Sequence, residues 1–188
     1  MKLKTIATGI AGALAFSVGG HVFAHTFIAV EDTLVSFYLT QKALVVAAIA
    51  ESGGYERAKP EIDEMTATAL VNLEATKRKV NPALARSLMR AESSLYADAL
   101  SPKGAIGYMQ IMPANAKRCG LSSPKELKDD YKNIKCGVQI LDEELKTYDN
   151  NAFLAIQSYN GGPRCVNKCR ESINHVAKVM TEISRDIG

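Results

Sequence analysis

The chain has 188 residues, with 23 basic and 20 acidic side chains, so it is close to charge balance and offers no electrostatic reason to expect a nucleic acid as partner. Its length suits one compact domain with a modest extension.

The first residues point to a compartment. Met1 to Ala24 carries Lys2 and Lys4, an apolar run from about Ile6 to Val18, and the ending Val22-Phe23-Ala24. That is the layout of a secretory signal peptide cut after Ala24, leaving an exported, periplasmic chain that begins at His25. The run is short and rich in glycine and alanine for an anchor that must cross a hydrocarbon core of about 30 Å. In an oxidising compartment the four cysteines, Cys119, Cys136, Cys165 and Cys169, read as disulfides. Pairing is open from sequence, but Cys119 with Cys136 and Cys165 with Cys169 is favoured, because each pair brackets a short, turn-rich segment. A zinc site built from Cys165, Cys169 and His175 lacks the paired ligand spacing, so no metal is expected.

From about Glu31 to Glu51 the chain is apolar and helix-compatible, interrupted by Gln41 and Lys42 and stopped by Gly53-Gly54. A second helix is predicted from Pro60 to about Val80, acidic at its start and closed by Lys77, Arg78 and Lys79, in the order that suits the helix dipole. Asn81-Pro82 supplies an N-cap and a first-turn proline for a third helix, predicted to stop before Ser101-Pro102. A glycine-punctuated loop follows from Lys103 to Gly107, and Tyr108 to Met112 leads into a helix beginning near Pro113. Further helices are predicted from about Asn133 to Tyr148, Ala152 to Tyr159, and Glu171 to Ile187, the last with Ile173, Val176, Val179, Met180 and Ile183 as its apolar face. No alternating strand pattern is sustained, so the fold class is mainly α.

Within the third helix Leu84, Ala85, Leu88 and Met89 recur at the spacing of a buried face, and the next position in the series is Glu92. Burying an ionised carboxylate is costly, and a carboxyl so placed is suited to giving a proton away near neutral pH. The competing reading is a structural ion pair with Arg86 or Arg90.

Glu92-Ser93, Gly107-Tyr108-Met109-Gln110 and Ser158-Tyr159-Asn160-Gly161-Gly162 occur in this order, and with them the chain resembles the lytic transglycosylases of the lysozyme-like, soluble-transglycosylase family. The likeness runs from about Asn72 to Thr181 and implies a lysozyme-like domain (72–188), which leaves the leader (1–24) and an N-terminal helical extension (25–71) outside it. It implies that Glu92 is the single catalytic acid and base and that Ser93 orients it or the sugar. Met109 and Gln110 would line a glycan cleft, with Tyr159 and Asn160 closing over the reaction centre. Each has a plainer alternative: Ser93 bonding only to its own helix, Gln110 satisfying loop backbone, Tyr159 finishing a core. Tyr108, Ser158 and His175 depart from the commoner family residues, which bears on substrate contacts more than on reaction type.

Ordinary glycosidases use two carboxylates. Asp98 is the candidate second one, but it lies off the Glu92 face if the helix continues. Ala50-Glu51-Ser52, with Tyr55 and Ala58, echoes Ala91-Glu92-Ser93 with Tyr96 and Ala99, yet Gly53-Gly54 ends that stretch and no Gly-x-Met-Gln follows. By resemblance the substrate is peptidoglycan and the product a 1,6-anhydro end, with no cofactor required. The partners are glycan strands and, by context, an envelope-spanning secretion, conjugation or pilus machine. The rivals are a lysozyme-type muramidase and a wall-binding assembly factor without catalysis; the absence of tryptophan favours the latter, and seven tyrosines soften that objection.

Overall fold

The computed structural model describes residues 36–37, 39–48, 51 and 62–187. The expected leader, Gly53-Gly54 and Pro60 lie outside the described residues. The chain divides into two units, Met1–Gln41 and Lys42–Gly188. In the first, the described residues are helical, and the Thr40 hydroxyl donates to the Ser36 carbonyl at 2.8 Å.

In the second unit residues 42–48 are helical, and from Glu64 on five α-helices follow among the described residues. The first, α1 (Glu64–Arg78), starts where the Asp63 carboxylate accepts from the Thr66 N–H at 2.7 Å and ends at Lys79, whose φ is 61°. The cap at Asp63, rather than Pro60, sets the start. Hydrogen bonds from Thr66, with the Lys42 ammonium beside them, hold the Asp63 carboxyl down to about 2. The next, α2 (Pro82–Ser93), begins as expected, with the Asn81 side chain accepting from Ala83 N–H at 2.9 Å and Pro82 in the first turn. Then come α3 (Asp130–Thr147), α4 (Ala152–Gly161) and α5 (Arg170–Ile187). Asp129 and Asn151 cap α3 and α4 by the same chemistry.

Each helix packs against two others in a closed circuit, α1 on α2, α2 on α5, α5 on α4, α4 on α3 and α3 on α1. Leu70, Leu88, Met89, Ile134, Leu141, Ile156 and Val179 meet inside it and are fully buried. Each such side chain contributes about 1.5–3 kcal/mol relative to exposure. Ala43, Val46, Ala47 and Ile62 belong to the same core. The boundary expected between Val71 and Asn72 falls inside α1, where Leu70, Val71 and Ala75 are equally buried, so the packing is continuous across it. On α5, Val176 and Val179 face inward as expected, but Ile173 is 46% exposed.

The fold is mainly helical, and the described residues contain no strand beyond isolated bridges pairing Leu100 with Ile106 and Ile106 with Ile111. Two expectations are corrected. The Glu92 helix does not run on to residue 100 but stops at Ser93, because Ser94 (φ 52°) and Leu95 (φ 65°) take left-handed backbone. The helix expected from Pro113 is two short 3-10 turns, Pro113–Asn115 and Lys117–Cys119. Each closes through a three-residue hydrogen bond, Ala116 to Pro113 and Gly120 to Lys117, before a second turn winds. A third 3-10 turn, Pro124–Lys128, leads into α3. No helix among the described residues is long and apolar enough to cross a membrane.

Candidate active site

The apolar series on α2 is buried as the spacing requires, and Glu92 continues it with a side chain only 10% exposed. Neither neighbouring arginine neutralises it. Arg86 Nε donates to Asp186 Oδ2 at 2.9 Å, and Arg90 pairs with Asp186 Oδ1. Burial pushes the Asp186 carboxyl up, but hydrogen bonds from the two guanidinium groups outweigh it and hold the group below the usual carboxylate range. The structural ion pair weighed for Glu92 therefore belongs to Asp186. Lys178 on α5 donates to the Ala91 carbonyl, placing an ammonium at the C-terminal end of α2.

Beyond Glu92 the chain turns sharply, and Ser93 fixes the turn. Its hydroxyl donates to the Met89 carbonyl at 3.3 Å and accepts from Leu95 N–H at 3.2 Å. Ser93 is buried and does not line the cleft, so its hydroxyl is committed to backbone.

Glu92 opens into a cleft of about 350 Å³ whose walls include Gln110, Tyr159, Asn160, Met112, Lys103 and Glu171. Gln110 has left-handed backbone (φ 48°), and its Nε2 donates to the carbonyls of Ala99 at 3.0 Å and Gly107 at 2.9 Å. Both amide hydrogens thus hold the loop. Tyr159 donates its O–H to the Met109 carbonyl at 2.8 Å. Burial, with the Glu92 charge adding to it, pushes the Tyr159 phenol well above its ordinary value, so it remains a neutral donor. Asn160 Oδ1 accepts from the Ser172 hydroxyl at 3.1 Å. Of the residues expected at the cleft, Glu92, Gln110, Tyr159 and Asn160 line it. Met109 does not: its side chain is fully buried in the core, packed where Gly137 on α3 leaves room, since a Cβ there would lie 2.4 Å from Met109 Cβ.

Asn133, which the sequence marked only as a helix start, organises the loop that carries Gln110. Its Nδ2 donates to the carbonyls of Ile106 at 2.8 Å and Leu127 at 2.9 Å, and its Oδ1 accepts from Met109 N–H at 2.9 Å. Gly107 (φ 74°) sits against it, and a Cβ there would lie 2.6 Å from Asn133 Nδ2. The sequence signal for Asn133 was a polar residue set between Tyr131 and Ile134, both buried on α3.

His175 also gains meaning from its neighbours, since its Nε2 is 3.0 Å from Glu92 Oε1 and its side chain is 10% exposed. The approach is off-axis, so Nε2 is buried without a hydrogen-bond partner. Asp98 is exposed in the turn beyond α2 and does not line the cleft. Glu51, the sequence echo of Glu92, lies away from the cleft and accepts from the Tyr131 O–H at 3.0 Å. The disulfides join Cys119 to Cys136 and Cys165 to Cys169, the pairing favoured from sequence.

The arrangement is a nine-tenths-buried carboxyl at a groove walled by amides and a phenol. It can exchange a proton with a polar chain molecule laid along the groove.

The fold and the site have recognisable counterparts. The soluble lytic murein transglycosylase of Escherichia coli is 33% identical over 93 residues, covering 46% of this chain and 14% of that protein. A transglycosylase of Enterobacteria phage PRD1 is 32% identical over 120 residues, covering 63% of this chain and 43% of the phage protein. The chain thus spans less than half the length of these relatives. Among solved structures, the lytic transglycosylase Slt of Pseudomonas aeruginosa superposes with a TM-score of 0.58 at 22% identity, over 73% of this chain and 28% of that one. The 70 kDa soluble lytic transglycosylase of Escherichia coli does so with a TM-score of 0.59 at 22% identity, over 79% and 29%. At that identity the superpositions establish a shared fold. Residues 69–179, more than half of the chain, match the transglycosylase SLT domain family, and they contain Glu92 and the whole cleft, so the chain belongs to that family.

Proposed function

We propose that this protein is a peptidoglycan lytic transglycosylase. It would cut the β-1,4 bond between N-acetylmuramic acid and N-acetylglucosamine without water and leave 1,6-anhydro ends. The observation that carries this reading is Glu92, a mostly buried carboxyl lining a groove in which, among the described residues, no second carboxylate stands ready beside it. The other acidic residue of the groove, Glu171, is tied to Lys103 at 2.9 Å and is largely exposed.

With one carboxyl, the cycle closes if the same group works twice. Glu92 gives its proton to the bridging oxygen, the C1–O bond breaks through an oxocarbenium-like transition state, and the leaving sugar departs as an alcohol. The carboxylate then accepts the proton of the C6 hydroxyl as that oxygen bonds to C1, which restores the acid. Gln110, Tyr159 and Asn160 present polar atoms and one ring to the sugar chain, which fits a glycan lying along the groove. Two disulfides suit an oxidising, extracytoplasmic setting. Local opening of the wall for an envelope-spanning machine is the use we propose for the activity.

Isolated peptidoglycan digested with the protein and resolved by mass spectrometry tests the reading. Anhydro-muropeptides, one water lighter than their reducing-end counterparts, are expected. Reducing ends alone make the protein a muramidase, and binding without cleavage makes it an assembly factor; either result overturns the proposal.

A further inference from the structure

We propose that His175 is a positioning residue that governs whether Glu92 carries its proton: the imidazolium form holds Glu92 as a carboxylate, and the neutral imidazole releases it to serve as the acid. The inference rests on the lytic reading of Glu92 for its kinetic consequence, but not for the coupling itself. The two groups are 3.0 Å apart, and both side chains are nine-tenths buried, a setting in which opposite charges couple strongly. The off-axis approach removes a directed hydrogen bond and leaves the charge interaction, which depends little on angle.

The surrounding charges are committed elsewhere. On α2, Arg86 and Arg90 are spent on Asp186. On α5, Lys178 bonds the Ala91 carbonyl, and Glu171 pairs with Lys103 of the cleft loop. Tyr159 on α4 is a neutral phenol bonded to Met109. Arg118, whose charge is felt at Tyr159, pairs with Glu143 and Glu144. His175 Nε2 is 3.0 Å from the Glu92 carboxyl, and Tyr159 also feels the Glu92 charge.

The proton balance then fixes a kinetic signature. Transfer of the Glu92 Oε1 proton to His175 Nε2 breaks one O–H bond and forms one N–H bond, turning a neutral pair into carboxylate and imidazolium. That tautomer has nothing to give a bridging oxygen. As pH falls, protons that go to His175 are not gained by Glu92, and the acid form of Glu92 stops increasing. The rate levels off. With an uncharged side chain at position 175 the protons go to Glu92, and the rate keeps rising.

The test compares pH–rate profiles of the full chain, H175Q and H175K on isolated peptidoglycan. Whatever the absolute rates, the H175Q to wild-type ratio is expected to rise about tenfold between pH 8.5 and pH 6. H175K, charged throughout, should stay below H175Q at both ends. A ratio that is constant with pH overturns the proposal, because a space-filling role would shift all rates together. A second measurement needs no activity: the pH dependence of the His175 ¹⁵N signals should differ between the full chain and E92Q, and coincident curves also overturn it. If the two curves differ in a protein that never releases a muropeptide, the coupling stands and the lytic reading fails.

Discussion

The Tyr159 hydroxyl and the Met109 carbonyl, 2.8 Å apart, join the end of α4 to the cleft loop and fix the distance between two walls of the groove. Both partners are shielded, since the Met109 side chain is fully buried and burial raises the Tyr159 phenol. Tyr159→Phe leaves that carbonyl without its donor, and unfolding in denaturant should show a loss of about 1–3 kcal/mol. A phenylalanine variant as stable as the parent would mean that water replaces the phenol.

Glu92→Gln should keep the fold and lose at least about a hundredfold in the rate of peptidoglycan cleavage. The side chain is isosteric, and α2 is held by Asn81, Lys178 and the Asp186 pairs rather than by Glu92. Purified variant with an unchanged melting curve and parental activity would remove Glu92 from the chemistry.

Asn133 makes three hydrogen bonds to backbone, so Asn133→Ala takes the side-chain partner from the Leu127 carbonyl and the Met109 N–H, and leaves the Ile106 carbonyl with its bond from Ile111 N–H. A loss of about 2–4 kcal/mol is expected, with the cleft loop the first segment to exchange its amide hydrogens. Asn133→Asp separates the two kinds of bond, because it retains the acceptor for Met109 N–H and forfeits both donors. Its stability should lie nearer to that of the alanine variant than to the parent.

Acid should weaken the fold in a defined window. Asp63 holds its proton off down to about 2, held there by Thr66 and Lys42, whereas an unfolded aspartate protonates near about 3.9. The stabilisation is therefore fully present above about pH 4 and is lost as pH falls towards about 2, where the unfolded chain binds the extra proton first. Asp186, also lowered, adds in the same direction. Asp63→Asn retains a capping oxygen but no charge, and its denaturation midpoint should vary less with pH across that window.

The two disulfides should differ in worth. Opening Cys119–Cys136, which closes a separation of 17 residues, should cost about 3 kcal/mol on chain-entropy grounds. Cys165–Cys169 closes only 4, and its removal should cost less stability. Paired serine variants followed by thermal denaturation measure both.

What the sequence made legible was whatever is written in local spacing. The α2 face ending in Glu92, the Asn81-Pro82 start and the bracketed cysteines each depend on neighbours a few residues away, and each formed as read. The stop at Ser93 was hidden because Ser94 and Leu95 adopt positive φ without being glycine, a strain that the Ser93 hydroxyl and the packed loop sustain. The motif alone puts Met109 in the cleft, and only its burial against the gap at Gly137 shows that it belongs to the core. Asn133 and His175 act on residues far away in the chain, so no window of sequence displays what they touch.

Ala43, Val46 and Ala47 lie well before the first family-matched residue, yet they sit in the same apolar interior as Leu70 and Val71. Trimming the protein to residues 69–179 for labelling or crystallisation would pull a plug from a sealed vessel. The remnant would carry every groove residue and still bare a greasy socket, inviting clumping before it met any sugar.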